Sequence, residues 1–122
     1  MIAIIIITIA SQYSPMTMAN VADYRATQGI SICANCDYIA VKSCADIGQV
    51  WWLQNPHTLT WERHQVVDCA MPYGTDGSRE WMDRWGIDLE ISHATAQRWG
   101  TVGRGIKIKY SRTRPDRMRL EP

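Results

Sequence analysis

Hydrophobic and polar residues alternate strictly at two places in the chain. In "IDLEI", residues 87–91, Ile87, Leu89 and Ile91 occupy one set of positions and Asp88 and Glu90 the other. In "IKIKY", residues 106–110, Ile106, Ile108 and Tyr110 alternate with Lys107 and Lys109. A period of two is the side-chain period of a strand, so each stretch predicts a strand with one buried face. On this reading Asp88 and Glu90 share the polar face. Shorter apolar runs predict further strands at residues 4–13, at "YIAV" (38–41), at "QVWWLQ" (49–54) and at "RHQVVD" (63–68), all rich in β-branched or aromatic residues. "NPHT", residues 55–58, reads as a turn through its Asn-Pro dipeptide. Residues 14–37 have no such pattern and are expected to be loops, with one helical turn near "NVADYRA".

Two stretches carry helix signals. "SREWMDRWG", residues 78–86, offers Ser78 as an N-cap, Trp81 and Trp85 four apart, and Gly86 as a stop. Trp81 is expected to anchor this helix on the body of the domain, and Trp51 and Trp99 are expected to be packing residues too. Ser92 can cap a helix over His93–Trp99, with Gly100 as its left-handed stop. The pattern thus predicts a mainly β domain over residues 1–110, with about six short strands and one or two short helices. Closing such strands into a small barrel removes the exposed edges they would otherwise carry. Residues 111–122 have no apolar periodicity and are expected to form a disordered basic tail.

The opening "MIAIIIITIA" admits two readings. It is a buried first strand, or the apolar core of a signal segment that lacks a positive leader and is too short to span a bilayer. The net charge of +1 hides an uneven distribution: residues 1–97 hold five Lys/Arg and ten Asp/Glu, residues 98–122 eight and two. A basic end favours an anionic polymer as a partner. Six Trp and five Tyr with no Phe give an aromatic set whose rings all carry a polar handle. Of the four cysteines only Cys33 and Cys36 are closely spaced, which suits disulfides and an oxidising compartment better than a structural zinc. His57, His64 and His93 are scattered, and none pairs with a Ser or Cys nucleophile. No metal or small-molecule cofactor is expected.

Along the chain, the segments "IASQYSP", "SCADIGQVWWL", "QVVDCA", "EISHATAQRWG" and "KIKY" resemble, in that order, parts of the rare lipoprotein A family of double-psi β-barrels and of the related expansins. The resemblance spans most of residues 8–110. It implies a six-stranded double-psi β-barrel. The family's strand-to-helix Asp and Ser correspond to Glu90 and Ser92, its upstream Asp to Asp68, and its first-strand Ser and aromatic to Ser11 and Tyr13. The chain departs from the family in having Glu at 90, in lacking the Gly-Pro after Asp68, and in the longer interval between the two acids.

Carried onto these positions, the resemblance implies an acidic groove that meets cell-wall glycan, with peptidoglycan as one candidate. Glu90 would be the proton donor and Asp68 the neighbouring carboxylate, with Asp88 as an alternative acid. Two close carboxyls raise one pKa, and a protonated acid near neutral pH can serve a glycosidic oxygen. Ser11, Tyr13, Tyr73 and Trp85 would line the sugar site. The barrel would also place Cys44 and Cys69 on neighbouring strands as a disulfide. The resulting expectation is a monomeric, secreted or envelope polysaccharide-binding barrel. Its rivals are an active lytic transglycosylase or glycosidase on the same groove, and a non-glycan module that works through its basic tail.

Overall fold

A computed structural model of the chain describes residues 3–13, 15–32, 37–70 and 78–115. Strands β1 (Ile6–Gln12), β2 (Tyr38–Val41), β3 (Val50–Gln54), β4 (Trp61–Cys69), β5 (Ile87–Ile91) and β6 (Ile106–Ser111) close into a barrel in the order β1-β5-β2-β4-β3-β6. The pairs β1/β5 and β2/β4 are parallel, and the other four are antiparallel. Exchanging the first three strands for the last three maps each pairing onto an equivalent one, which is the symmetry of the expected double-psi topology. Three helices accompany the barrel: α1 (Pro15–Thr27), α2 (Ser78–Trp85) and α3 (His93–Trp99).

The interior is filled by the apolar set of the alternating strands. Ala10, Ile39, Val41, Trp51, Leu53, Val66, Leu89, Ile91, Ile108 and Tyr110 form one cluster, joined by Ala96 and Trp99 of α3. Trp51 and Tyr110 stack with centroids 5.2 Å apart. Helix α3 begins where the sequence places it: Ser92 accepts a hydrogen bond from the Thr95 amide, and Gly100 closes the helix at φ 72°. The disulfide joins Cys44 to Cys69 across a sequence separation of 25 residues. Closing a loop of that size contributes about 3 kcal/mol through the entropy of the unfolded chain.

Four features differ from the sequence expectation. The stretch read as loop contains the 13-residue helix α1. Its start is favoured by Pro15 at the first helical position, but no helical stripe of apolar residues marks it in the sequence; Val21 packs against the described core. Helix α2 is anchored by Met82, which is buried with Ala70 and Ile87, while Trp81 and Trp85 are 45% and 62% exposed. The first strand is buried on one face only, leaving Ile4, Ile5 and Ile7 exposed. Finally, β6 runs through Ser111, and Arg112 folds back to an ion pair with Asp46 at 2.6 Å. Residues 116–122, Cys33 and Cys36 lie outside the described residues.

Candidate functional site

Strand register decides where the acids go. In the parallel pair β1/β5, Ile9 faces Ile87 but Ala10 faces Leu89, so Asp88 is the extra residue of a bulge. Burial alternates along 87–91 as expected, with Ile87, Leu89 and Ile91 buried, but the bulge sends these residues to different clusters. Ile87 joins the cluster under α2, whereas Leu89 and Ile91 enter the barrel. Asp88 and Glu90 consequently have different partners. Asp88 accepts a hydrogen bond from the Tyr110 hydroxyl at 2.8 Å and lies 3.6 Å from Lys42, whose amine is closer to Asp83 at 2.7 Å. Burial, then the Asp88 carboxylate, holds the Tyr110 phenol well above its usual range.

Glu90 pairs across the sheet with Ser11 on one side and Ala40 on the other. Ala40 in turn pairs with Asp68 through a second bulge, at Val67. Residues 68 and 90, remote in sequence, thus flank the same residue of β2, with backbones about 10 Å apart at two strand spacings. Tyr13, just beyond β1, bridges the interval: its amide donates to Ile91 O at 3.0 Å and its hydroxyl donates to Asp68 Oδ2 at 2.5 Å. The other Asp68 oxygen accepts from Arg25 Nη2, also at 2.5 Å. Arg25 belongs to α1 and is itself buried. Helix α1 therefore lies over this face, which Tyr13, Tyr38, Ala40 and Val67 floor.

The two carboxyls occupy unlike environments. Asp68 has a guanidinium and a phenol. No cation pairs with Glu90 among the described residues. Burial pushes the Glu90 pKa up to about 7; the Ser11 hydroxyl pulls it down and the Asp68 charge pushes it further up. Burial likewise raises the Tyr13 phenol far above its ordinary value, reinforced by Asp68 and Glu90. Among the described residues the buried Tyr38 hydroxyl has no hydrogen-bond partner, while the Ser11 hydroxyl reaches only the Glu90 carboxyl. Burial pushes Tyr38 up to about 12, so it is a donor at every relevant pH. Unsatisfied buried hydroxyls are uncommon in folded proteins and tend to mark places where a ligand or water completes the bonding.

A Glu90 pKa raised from its ordinary 4.5 to about 7 makes the folded state bind more protons than the unfolded state between those values. Stability should be highest below pH 4.5 as far as this residue is concerned, fall as the pH rises through 7, and stay low above it. The full difference is about 3 kcal/mol. Glu90→Gln should remove that slope in urea titrations repeated from pH 5 to 8. A variant with the slope of the wild type would locate the proton elsewhere.

A second polar cluster surrounds Glu62. Glu62 accepts from Arg98 Nη1 at 2.8 and 2.9 Å, from Asn55 at 3.1 Å and from the Trp99 indole at 3.2 Å, with His64 at 3.7 Å. Burial alone would raise its pKa, but the surrounding donors, His64, Arg98 and Asn55, outweigh it and hold the carboxyl well below the usual range. Arg98 also reaches Asp37 at 2.9 Å. This cluster ties α3 to β4.

Of the residues singled out in the sequence, Ser11, Tyr13, Asp68 and Glu90 come together. Asp88 and Trp85 do not join them: Asp88 has its own partners, and Trp85 is exposed on α2. Tyr73 lies outside the described residues. Sequence reading missed Arg25 and Tyr38. Arg25 sits in a stretch without periodicity, 43 residues from the acid it pairs with, and nothing local marks it. Tyr38 opens a fully buried strand and reads as core. Among the described residues no group of His, Cys, Asp and Glu is placed to hold a metal ion, and no helix is long and apolar enough to cross a membrane.

Fold and site together define a closed mixed barrel carrying a pair of unlike carboxyls beneath a helix. Comparison of the chain with protein-family models, with curated proteins and with solved structures found no match.

Proposed function

We propose that the chain is a secreted or envelope barrel that binds cell-wall polysaccharide, peptidoglycan foremost, through the face where Glu90 and Asp68 flank Ala40. The observation that carries this reading is Glu90: a largely buried carboxyl with no cation of its own among the described residues, set beside Ser11 and two strands from Asp68, which has the Arg25 guanidinium. A carboxyl that stays protonated near neutral pH donates a hydrogen bond to a sugar oxygen and accepts one from a sugar hydroxyl. The Tyr38 hydroxyl, buried and without a partner among the described residues, adds a polar group that a polyol can satisfy, and the Ser11 hydroxyl stands beside Glu90. The Cys44–Cys69 disulfide suits an oxidising compartment, and the segment resemblances point to the same class of ligand.

Sedimentation with purified peptidoglycan tests the reading. Wild-type protein should sediment at pH 6 and bind about tenfold more weakly at pH 8, as Glu90 ionises. Glu90→Gln, which keeps a donor at every pH, should bind equally at both. Glu90→Ala should bind weakly throughout. The supernatant should contain no released glycan fragments; fragments that vanish with Glu90→Gln would establish the lytic alternative. Folded wild-type protein that sediments at neither pH contradicts the proposal.

A further inference from the structure

The barrel has a second face whose character is opposite to that of the acidic site. On β1 the outward residues are Ile7, 60% exposed, and Ile9, partly buried beneath α2. Their antiparallel partners on β6 are Lys109 and Lys107, both exposed. Paired residues of an antiparallel ladder point to the same side, so the isoleucines and lysines share one surface. Ile4 and Ile5, just before the strand, are also exposed, at 74% and 42%.

The end of α2 borders this surface. Gly86 O accepts from the Ile9 amide at 3.3 Å and from Thr8 Oγ1 at 3.1 Å, which fixes the helix terminus against the middle of β1. Trp81 and Trp85 lie one turn apart on the flank of α2 next to Met82, and both are exposed. Arg84 stands exposed between them. Beyond β6 the surface continues to β3 and β4, where Trp52 pairs with the exposed Arg63 and lies under the Arg114 guanidinium at 5.5 Å. No acid occurs among the outward residues of β3, of β6 or of β4 from 61 to 65; α2 carries two exposed acids, Glu80 and Asp83, the latter paired with Lys42 at 2.7 Å, and Glu90, Asp68 and Asp88 belong to β5 and the far end of β4.

Exposed isoleucines together with indoles and a row of lysines are the composition that settles at a bilayer interface. Trp partitions to the headgroup level, aliphatic side chains enter the acyl boundary, and lysines meet anionic headgroups. A nucleic acid would use the cations but leave Ile4, Ile5 and Ile7 in water. A second copy of this chain would bring Lys107 and Lys109 against the same lysines or their neighbours. We propose that the outer face of β1 and β6, with the flank of α2, docks this barrel on an anionic lipid surface. The contact is interfacial, and it leaves the Glu90 site on β5 and β2 free to meet polymer.

Co-sedimentation with lipid vesicles tests this directly. Full-length protein should sediment with vesicles of phosphatidylglycerol and phosphatidylcholine, and at least tenfold less with pure phosphatidylcholine. Lys107→Glu with Lys109→Glu should weaken binding to the anionic vesicles tenfold or more. Ile7→Asn and Trp85→Ser, both at exposed positions, should weaken it by a similar factor while leaving the circular dichroism melt unchanged. Wild-type indole emission should shift to the blue on binding, and less so in Trp85→Ser. Absence of sedimentation with anionic vesicles overturns the proposal. So does vesicle binding that ignores all four substitutions, binding of a single-stranded oligonucleotide in place of vesicles, or a dimer that Ile7→Asn dissolves in protein that binds no lipid.

Discussion

Arg25→Ala should destabilise the fold by about 3–5 kcal/mol, the cost of removing one partner from a buried ion pair. Arg25 is only 7% exposed, and its guanidinium bridges Asp68 and Gln28, each at 2.5 Å. With it gone, Asp68 retains only the Tyr13 hydroxyl. The side chain of Asp68 keeps 18% exposure, so water can reach it in part, and the lower end of the range is expected. The loss should spread to α1. Val21 of that helix packs on the described core, and the Arg25–Asp68 pair ties the helix to β4. Urea denaturation should show a lower midpoint at nearly unchanged slope, and the amides of residues 19–27 should exchange faster. Replacing the pair together, Arg25→Met with Asp68→Leu, should recover most of the stability, because no charge is then left without a partner. A single variant within 1 kcal/mol of the wild type would mean that the pair does not hold the helix.

Trp99→Ala should cost about 3–5 kcal/mol, the range for deleting a large buried aromatic side chain. The ring is 1% exposed and joins α3 to the barrel interior. It meets the His64 ring edge-on at 6.0 Å, and its indole nitrogen donates to Glu62 at 3.2 Å. Trp99→Phe separates the two contributions. It keeps most of the packing and removes the donor, and Glu62 still has Arg98 and Asn55. That variant should therefore lose only about 1–2 kcal/mol. Equal losses for both substitutions in chemical denaturation would assign the stability to the hydrogen bond rather than to the ring.

Much of this barrel is legible from alternation and turn chemistry. The runs at 38–41, 87–91 and 106–110 become β2, β5 and β6, and Ser92 and Gly100 bound α3 as their side-chain and backbone chemistry require. Three things were not legible, each for a physical reason. A β-bulge is invisible in a hydrophobic pattern, so the alternation of 87–91 put Asp88 beside Glu90 although the register separates them. Helix α1 lacks the apolar stripe that reveals a packed helix, and the ion pair that ties it to β4 spans 43 residues of sequence. On α2 the residue facing the core is Met82, and two tryptophans beside it point outward, against their usual preference. The site was half legible. Asp68, Glu90, Ser11 and Tyr13 were recovered from their segments, whereas Arg25, which neutralises Asp68 and leaves Glu90 the carboxyl without a countercharge, was not.

That division of roles between two carboxyls is the point on which the functional reading turns, and the titration of Glu90 reads it directly. Its side-chain carboxyl carbon, followed by NMR from pH 3 to 9 and assigned with Glu90→Gln, should titrate with a midpoint near 7. A midpoint near 4.5 would describe an ordinary solvated carboxylate and would contradict the account.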